Sequence, residues 1–144
     1  MVMLKKTHTP YSLKYRQNNQ TLKFGRFGIK VLSFGKIAEN QFDSIKRSIL
    51  RILKKITNNK KSTKVWYSSP FNLTLTKLSS ESRMGKGKGA IYSKAIFLKP
   101  GTILFEFEGV SNQQVLLVLD FLKKRMGFKI ALLESYKLIK GRET

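Results

Sequence analysis

The sequence predicts an α+β fold: two amphipathic helices packed on one face of a mostly antiparallel sheet, with a basic N-terminal tail and a basic Gly/Lys loop. Three observations predict it. Apolar residues recur at three- and four-residue spacing over 40–57 and over 112–126, which puts them on one face of a helix. Between and around these stretches run short segments of alternating apolar residues bounded by Gly, Pro and Asn, the pattern of strands and turns. A chain of 144 residues with 41% hydrophobic residues, ten Phe and one Trp can bury one core, and two helices covering one sheet is the economical way to do so.

Taken in order, residues 1–21 read as a basic tail that orders on its partner. Residues 1–38 hold eight bases and no acid. A transit peptide is basic and acid-poor in the same way, but Ser and Arg are sparse here and the basic run passes directly into patterned chain. Residues 22–34 carry Leu22, Phe24, Phe27, Ile29 and Val31, with a phase slip at Gly25-Arg26 that predicts a bulge or two short strands. The first helix follows, with Phe42, Ile45, Ile49, Ile52, Leu53 and Ile56 inward and Asn40 as its N-cap. Its other face carries Lys46, Arg47, Arg51, Lys54 and Lys55 with no acid among them.

Strands are expected over 63–69, ended by Pro70, and over 71–76. Residues 77–89 form a long basic loop. Strands over 90–98 and 102–108 are joined by Lys99-Pro100-Gly101, a turn sequence. On the second of these, Ile103, Phe105 and Phe107 face inward and Leu104, Glu106 and Glu108 the other way. Ser111 with Gln114 makes a capping box that opens the second helix. Its core stripe is Val115, Val118, Leu119, Leu122 and Met126, and Gly127 is its C-cap. A last strand spans 128–136. The organisation is thus a tail (1–21), one domain (22–136) and a short basic C-terminal tail (137–144).

The charge names the partner class. There are 29 basic and 8 acidic residues, a net charge of +21. Such an excess opposes compaction unless a polyanion neutralises it. Within the loop, Arg83-Met84-Gly85-Lys86-Gly87-Lys88-Gly89 alternates glycine with lysine. The glycines permit positive φ and close approach of backbone to a partner, and the lysines are spaced for a row of phosphates. Lys77 and Lys94 flank the run. Arg47 and Arg51 on the first helix add candidate phosphate contacts. In the tail, Tyr11 and Tyr15 alternate with Lys14 and Arg16 and are candidates for stacking on unpaired bases, whereas Trp66 reads as a core residue.

The same inventory excludes most chemistry. Cys is absent and His8 is the only histidine, so neither a Ser-His triad nor a thiolate or histidine metal site can be assembled. Glu106 and Glu108 lie on one face of a strand about 7 Å apart, which makes a two-carboxylate site conceivable. An exposed polar face or ion pairs with lysines is the plainer reading. The Gly/Lys run lacks the spacing of a phosphate-binding P-loop. No enzyme activity, cofactor, metal or small-molecule substrate is expected. No apolar run is long enough for membrane insertion. Abundant Lys, Ile, Asn and Phe, which have AT-rich codons, fit an organellar genome or an AT-rich bacterium.

With these residues in view, the chain resembles the universal large-subunit ribosomal protein sixteen family of bacteria and organelles. The resemblance rests on Leu4-Lys5-Lys6-Thr7, Phe24-Gly25-Arg26-Phe27-Gly28-Ile29-Lys30, Lys64-Val65-Trp66, the Arg83–Gly89 block, Lys99–Glu106 and Glu108-Gly109-Val110. It implies a structural constituent of the large ribosomal subunit that binds large-subunit rRNA. It also implies that the tail and loop approach A-site tRNA near the peptidyl-transferase centre, with neighbouring large-subunit ribosomal proteins as further partners. By the matching positions Lys5, Lys6, Arg26 and Lys30 join the RNA-binding set. The expected location is the mitochondrial matrix, in the ribosome; a plastid or a bacterial cytoplasm is the alternative. The rival reading is a general architectural nucleic-acid-binding protein. The chain departs from the family in its tail, where Gln17-Asn18-Asn19-Gln20 stands in place of bases, in a lengthened 58–62, and in 71–82, which lacks the usual prolines.

Overall fold

The computed structural model describes residues 5–7, 21–57, 63–67, 71–85 and 87–135. Its elements are β1 (Phe27–Val31), β2 (Gly35–Ala38), α1 (Glu39–Ile56), β3 (Lys64–Tyr67), β4 (Leu73–Lys77), β5 (Ala90–Leu98), β6 (Ile103–Glu108), α2 (Asn112–Arg125) and β7 (Ile130–Glu134). The α+β class is as expected, but the strands divide between two antiparallel sheets, ordered β3-β6-β1-β7 and β2-β5-β4. The division is made at two neighbouring crossings. Residues 32–34 carry the chain from β1 to β2, and 99–102 carry it from β5 to β6. The crossings are tied together by Gly101 N–H donating to Val31 O (2.8 Å) and Val31 N–H donating to Thr102 O (2.9 Å). Gly101 turns with φ +89°, a conformation that a side chain would resist.

The break in the first strand region therefore falls at 32–34, not at Gly25-Arg26. Residues 21–26 form no strand and instead cross over β6. The core lies between the sheets and the two helices. Phe27, Ile29, Val31, Ile49, Leu104, Phe105, Phe107, Val115, Val118 and Leu122 are all completely or almost completely buried. Phe42 of α1 stacks on Phe105 of β6, with ring centres 5.3 Å apart and planes 7° from parallel. Tyr67 meets both rings edge-on, the arrangement that aromatic quadrupoles favour.

The helices are bounded differently. α2 has the expected capping box: Gln114 N–H donates to Ser111 Oγ, and Ser111 N–H donates to Gln114 Oε1. Its expected core stripe is buried throughout. Lys123, Lys124 and Arg125 close its last turn, where cations suit the helix dipole. The C-cap, however, is Met126 in an extended conformation rather than Gly127. The N-cap of α1 lies two residues earlier than expected, at Ala38 with no side-chain cap, so Asn40 lies inside the helix. Its C-terminal end is closed by Thr57, whose N–H and Oγ both donate to Leu53 O (2.8 and 2.7 Å).

Candidate nucleic-acid interface

The Gly/Lys run is the tip of a hairpin. β4 and β5 pair in antiparallel register down to Lys77 opposite Ala90, so residues 78–89 form the connecting loop. Its glycines differ in purpose. Gly85 and Gly87 have φ of +94° and +90°, and nothing stands within 4 Å of where a Cβ would be. They are needed for backbone shape, and the space beside them is open. At Gly89 a Cβ would lie 2.3 Å from Lys77 O, so this glycine lets the loop close onto the end of β4. Arg83, Met84 and Lys88 are exposed, Met84 at 95%.

The three described tail residues dock against this hairpin. Because β4 is the edge strand of its sheet, it offers unpaired backbone groups along one side. Thr74 N–H donates to Thr7 Oγ1 (3.0 Å), Thr7 N–H donates to Thr74 Oγ1 (2.8 Å), and Thr74 Oγ1 donates to Lys5 O (3.2 Å). Lys6 Nζ donates to Lys88 O (3.0 Å), and Lys88 Nζ donates to Thr7 O. Tail and loop, some eighty residues apart in sequence, are interlocked. Lys5, Lys6 and Lys88 are all exposed at this junction. No acidic side chain takes part in these bonds, so the ammonium groups keep their full charge for an outside anion.

The strand face beside the junction extends the positive surface. On β5, Lys94 lies opposite Thr74, and Tyr92 stands at a bulge where the register passes from Leu75 opposite Ser93 to Thr76 opposite Ile91. Tyr92 is 66% exposed, and Lys77 Nζ sits 5.7 Å from its ring centre. Lys5, Lys6, Lys77, Lys88, Lys94 and Arg83 thus belong to one hairpin and the segment bound to it.

Other expected contact residues sit elsewhere. Arg47 and Arg51 are exposed on α1, and Arg47 Nε donates to its own helix at Asp43 O (3.3 Å). Neighbouring Lys46 rests 4.5 Å over the Tyr67 ring. Arg26 pairs with Glu134 (3.1 Å) and lies 5.2 Å from the Phe27 ring centre. Lys30 is half-buried within the central strand β1, between β6 and β7. Tyr11, Lys14, Tyr15, Arg16, Lys86, His8 and the C-terminal tail lie outside the described residues.

Glu106 corrects the expected exposed polar face of β6. The strand phase is as read at Phe105 and Phe107, but the register with β1 slips between Ile103 and Phe105, and Leu104, expected to face the other way, is fully buried in the core. But the opposite face is covered too, and Glu106 is only 7% exposed. Its Oε2 accepts N–H bonds from Lys23 (3.1 Å), Phe24 (2.8 Å) and Gly25 (3.0 Å). Gly25 packs so close that a Cβ would lie 2.6 Å from Phe107 O. The carboxylate is thus a structural clasp for the crossing segment rather than a reactive pair with Glu108, which faces Lys64 across β3. Among the described residues no group of His, Asp and Glu could hold a metal ion, and no helix is long and apolar enough to cross a membrane. Trp66 also departs from expectation. It is half-buried, opposite Glu106, with its ring stacked on Phe24 at 5.8 Å.

Comparison with known proteins decides the lineage. Residues 2–133 match the model of the family described as Ribosomal protein L16p/L10e. The chain belongs to that family. It is accordingly a ribosomal structural protein and not an enzyme. It is 61% identical over 130 residues to the large ribosomal subunit protein uL16m of Chondrus crispus, covering 90% of this chain and 94% of the relative.

Proposed function

We propose that this chain is a structural constituent of the large subunit of a mitochondrial ribosome. There it binds large-subunit rRNA through the β4–β5 hairpin and the N-terminal tail, and it helps shape the A-site tRNA region near the peptidyl-transferase centre. Family membership and the uL16m relative support the large subunit and the mitochondrion; the matrix follows as the compartment. The observation that carries the RNA contact is the interlock of Lys6, Thr7, Thr74 and Lys88, which presents lysines from two remote segments as one cationic surface.

The mechanism is positioning. Lysine ammonium groups displace condensed counterions from crowded phosphates, and release of those ions drives association. Phosphate contacts fix orientation, while shape and unpaired bases supply specificity. Docking residues 5–7 on the edge of β4 fixes where the tail leaves the domain, so the rest of the tail begins its path along RNA at a defined point. Arg47, Arg51, Arg26 and Lys30 extend the proposed contact set, the exposed Arg26 by reaching phosphate from beside its half-buried partner Glu134. Neighbouring large-subunit proteins complete the surroundings.

The test is incorporation. Lys88→Ala combined with Lys6→Ala reduces the fraction of protein sedimenting with large subunits, or leaves A-site tRNA binding weakened in particles that do form. Normal incorporation and normal tRNA binding overturn the assignment of the hairpin. Equal affinity for random duplex DNA and for rRNA favours the general architectural reading instead.

A further inference from the structure

Beside the crossing segment 21–25 lies a cleft of about 410 Å³ lined by Phe24, Trp66, Lys23, Glu106, Thr102 and Ile103 among others. We infer that this cleft receives one unpaired base of the RNA strand, stacked against the Phe24–Trp66 pair. The inference rests on the ribosomal reading and adds a second, base-directed contact to the phosphate-directed hairpin.

The shelf is built rather than incidental. Register sets Trp66 directly opposite Glu106, so both project from the sheet face away from the helices. Glu106 holds three consecutive backbone N–H groups of residues 23–25. This clasp fixes Phe24, whose ring lies 21° from parallel to Trp66. Phe24 nevertheless keeps 62% of its surface exposed, which leaves ring area open to an incoming base. The cleft volume is near the low end for small-ligand sites, suited to one nucleotide and too small for a helix.

Charge complementarity points to the same occupant. Lys23 is exposed at the cleft and can meet the phosphate of a nucleotide whose base is stacked. Among the described residues, Glu106 Oε1 has one long contact, to Lys23 N–H at 3.4 Å. It retains lone pairs for a base amino group. Adenine, cytosine and guanine carry such a donor and uracil does not, so the cleft favours an amino-bearing base.

The chain has a single tryptophan, so its emission reports on this site alone. The experiment titrates the intact protein with single-stranded heptamers of adenylate and of uridylate, reading Trp66 quenching beside the anisotropy of labelled RNA. Oligoadenylate is expected to quench Trp66 and to bind more tightly than oligouridylate. Phe24→Ala is expected to lower the affinity of the quenching event between about 5-fold and 150-fold, and Phe24→Tyr to preserve it. Unchanged circular dichroism of Phe24→Ala verifies that the fold survives. RNA binding that leaves Trp66 emission unmoved, or that Phe24→Ala leaves unaltered, overturns the inference. Free adenosine monophosphate binding as tightly as the heptamer overturns the claim that the occupant belongs to a strand. In the particle, Phe24→Ala subunits should sediment normally and show one newly reactive nucleotide. Normal sedimentation with an unchanged footprint defeats the base site alone, whereas failure of the unaltered protein to sediment with large subunits defeats the ribosomal reading.

Discussion

Replacing Glu106 by alanine removes the acceptor for three backbone N–H groups at 2.8–3.1 Å. A hydrogen bond to a charged group contributes about 1.5–3 kcal/mol, and a buried donor left without a partner costs about 1–3 kcal/mol. Lys23 and Phe24 are exposed, so water can take over their N–H groups at small cost. Gly25 is buried against Phe107, and its N–H has no such recourse. Weighing one fully lost bond against two partly replaced ones gives about 3 kcal/mol for Glu106→Ala. Glu106→Gln keeps one acceptor oxygen but loses the charge, and about half that cost is expected. The assay is urea unfolding followed by circular dichroism and Trp66 emission. The prediction is a lower midpoint with an unchanged slope, and a Trp66 signal disturbed even in the folded baseline, because Phe24 is released from its neighbour. A loss below about 1 kcal/mol for Glu106→Ala would refute the view that this carboxylate holds the crossing segment in place.

Other predictions follow from the same structure. Ser111→Ala should cost about 1 kcal/mol through the lost N-cap, read as a lower urea midpoint with no change in RNA affinity. Gly87→Ala, at φ +90° in open space, should cost at most about 1–2 kcal/mol of global stability while weakening rRNA binding, because the loop must change shape; unchanged binding would contradict the reading. Lys88→Ala should lower the slope of log affinity against log salt by about 0.7–0.9 if Lys88 contacts one phosphate. Tyr67 is pushed above the ordinary tyrosine value of 10.0 by burial, so the folded state holds this proton more tightly than the unfolded chain. Any stability from it is present below pH 10 and is lost as pH rises through the folded value. Ultraviolet titration should show Tyr67 ionising later than exposed tyrosines, a delay that Tyr67→Phe abolishes.

What could be read from the sequence was the local part of the structure. The capping box at Ser111, the stripe from Val115 to Met126 and the phase of Phe105 and Phe107 depend on spacing within one element, and they appear as expected. The start of α1 did not, because Ala38 occupies the N-cap with no side-chain signal to announce it. The split into two sheets was also hidden. It is set by how residues 32–34 and 99–102 meet in space, not by the pattern of either strand.

The site shows the same boundary. Charge and glycine spacing mark Arg83–Gly89 as a proposed contact loop, and the structure adds only that Gly85 and Gly87 take the positive φ that glycine permits. The docking of Thr7 and Lys6 onto the hairpin spans more than sixty residues of chain, and no periodicity encodes such a pairing. Glu106 departs from expectation for a related reason. Alternation correctly put it opposite Phe105, but only the crossing of 21–25 decides that this opposite face is covered. The same crossing makes Trp66 part of a shelf instead of the core.

The most direct measurement is crosslinking of the protein within large subunits purified on a gradient, followed by sequencing of the attached RNA. Crosslinks from the hairpin around Lys88 and from Lys6 should fall on neighbouring nucleotides of large-subunit rRNA, since the two lysines share one junction. Hairpin and tail crosslinks on unrelated RNAs, or a protein that stays at the top of the gradient, would contradict the account.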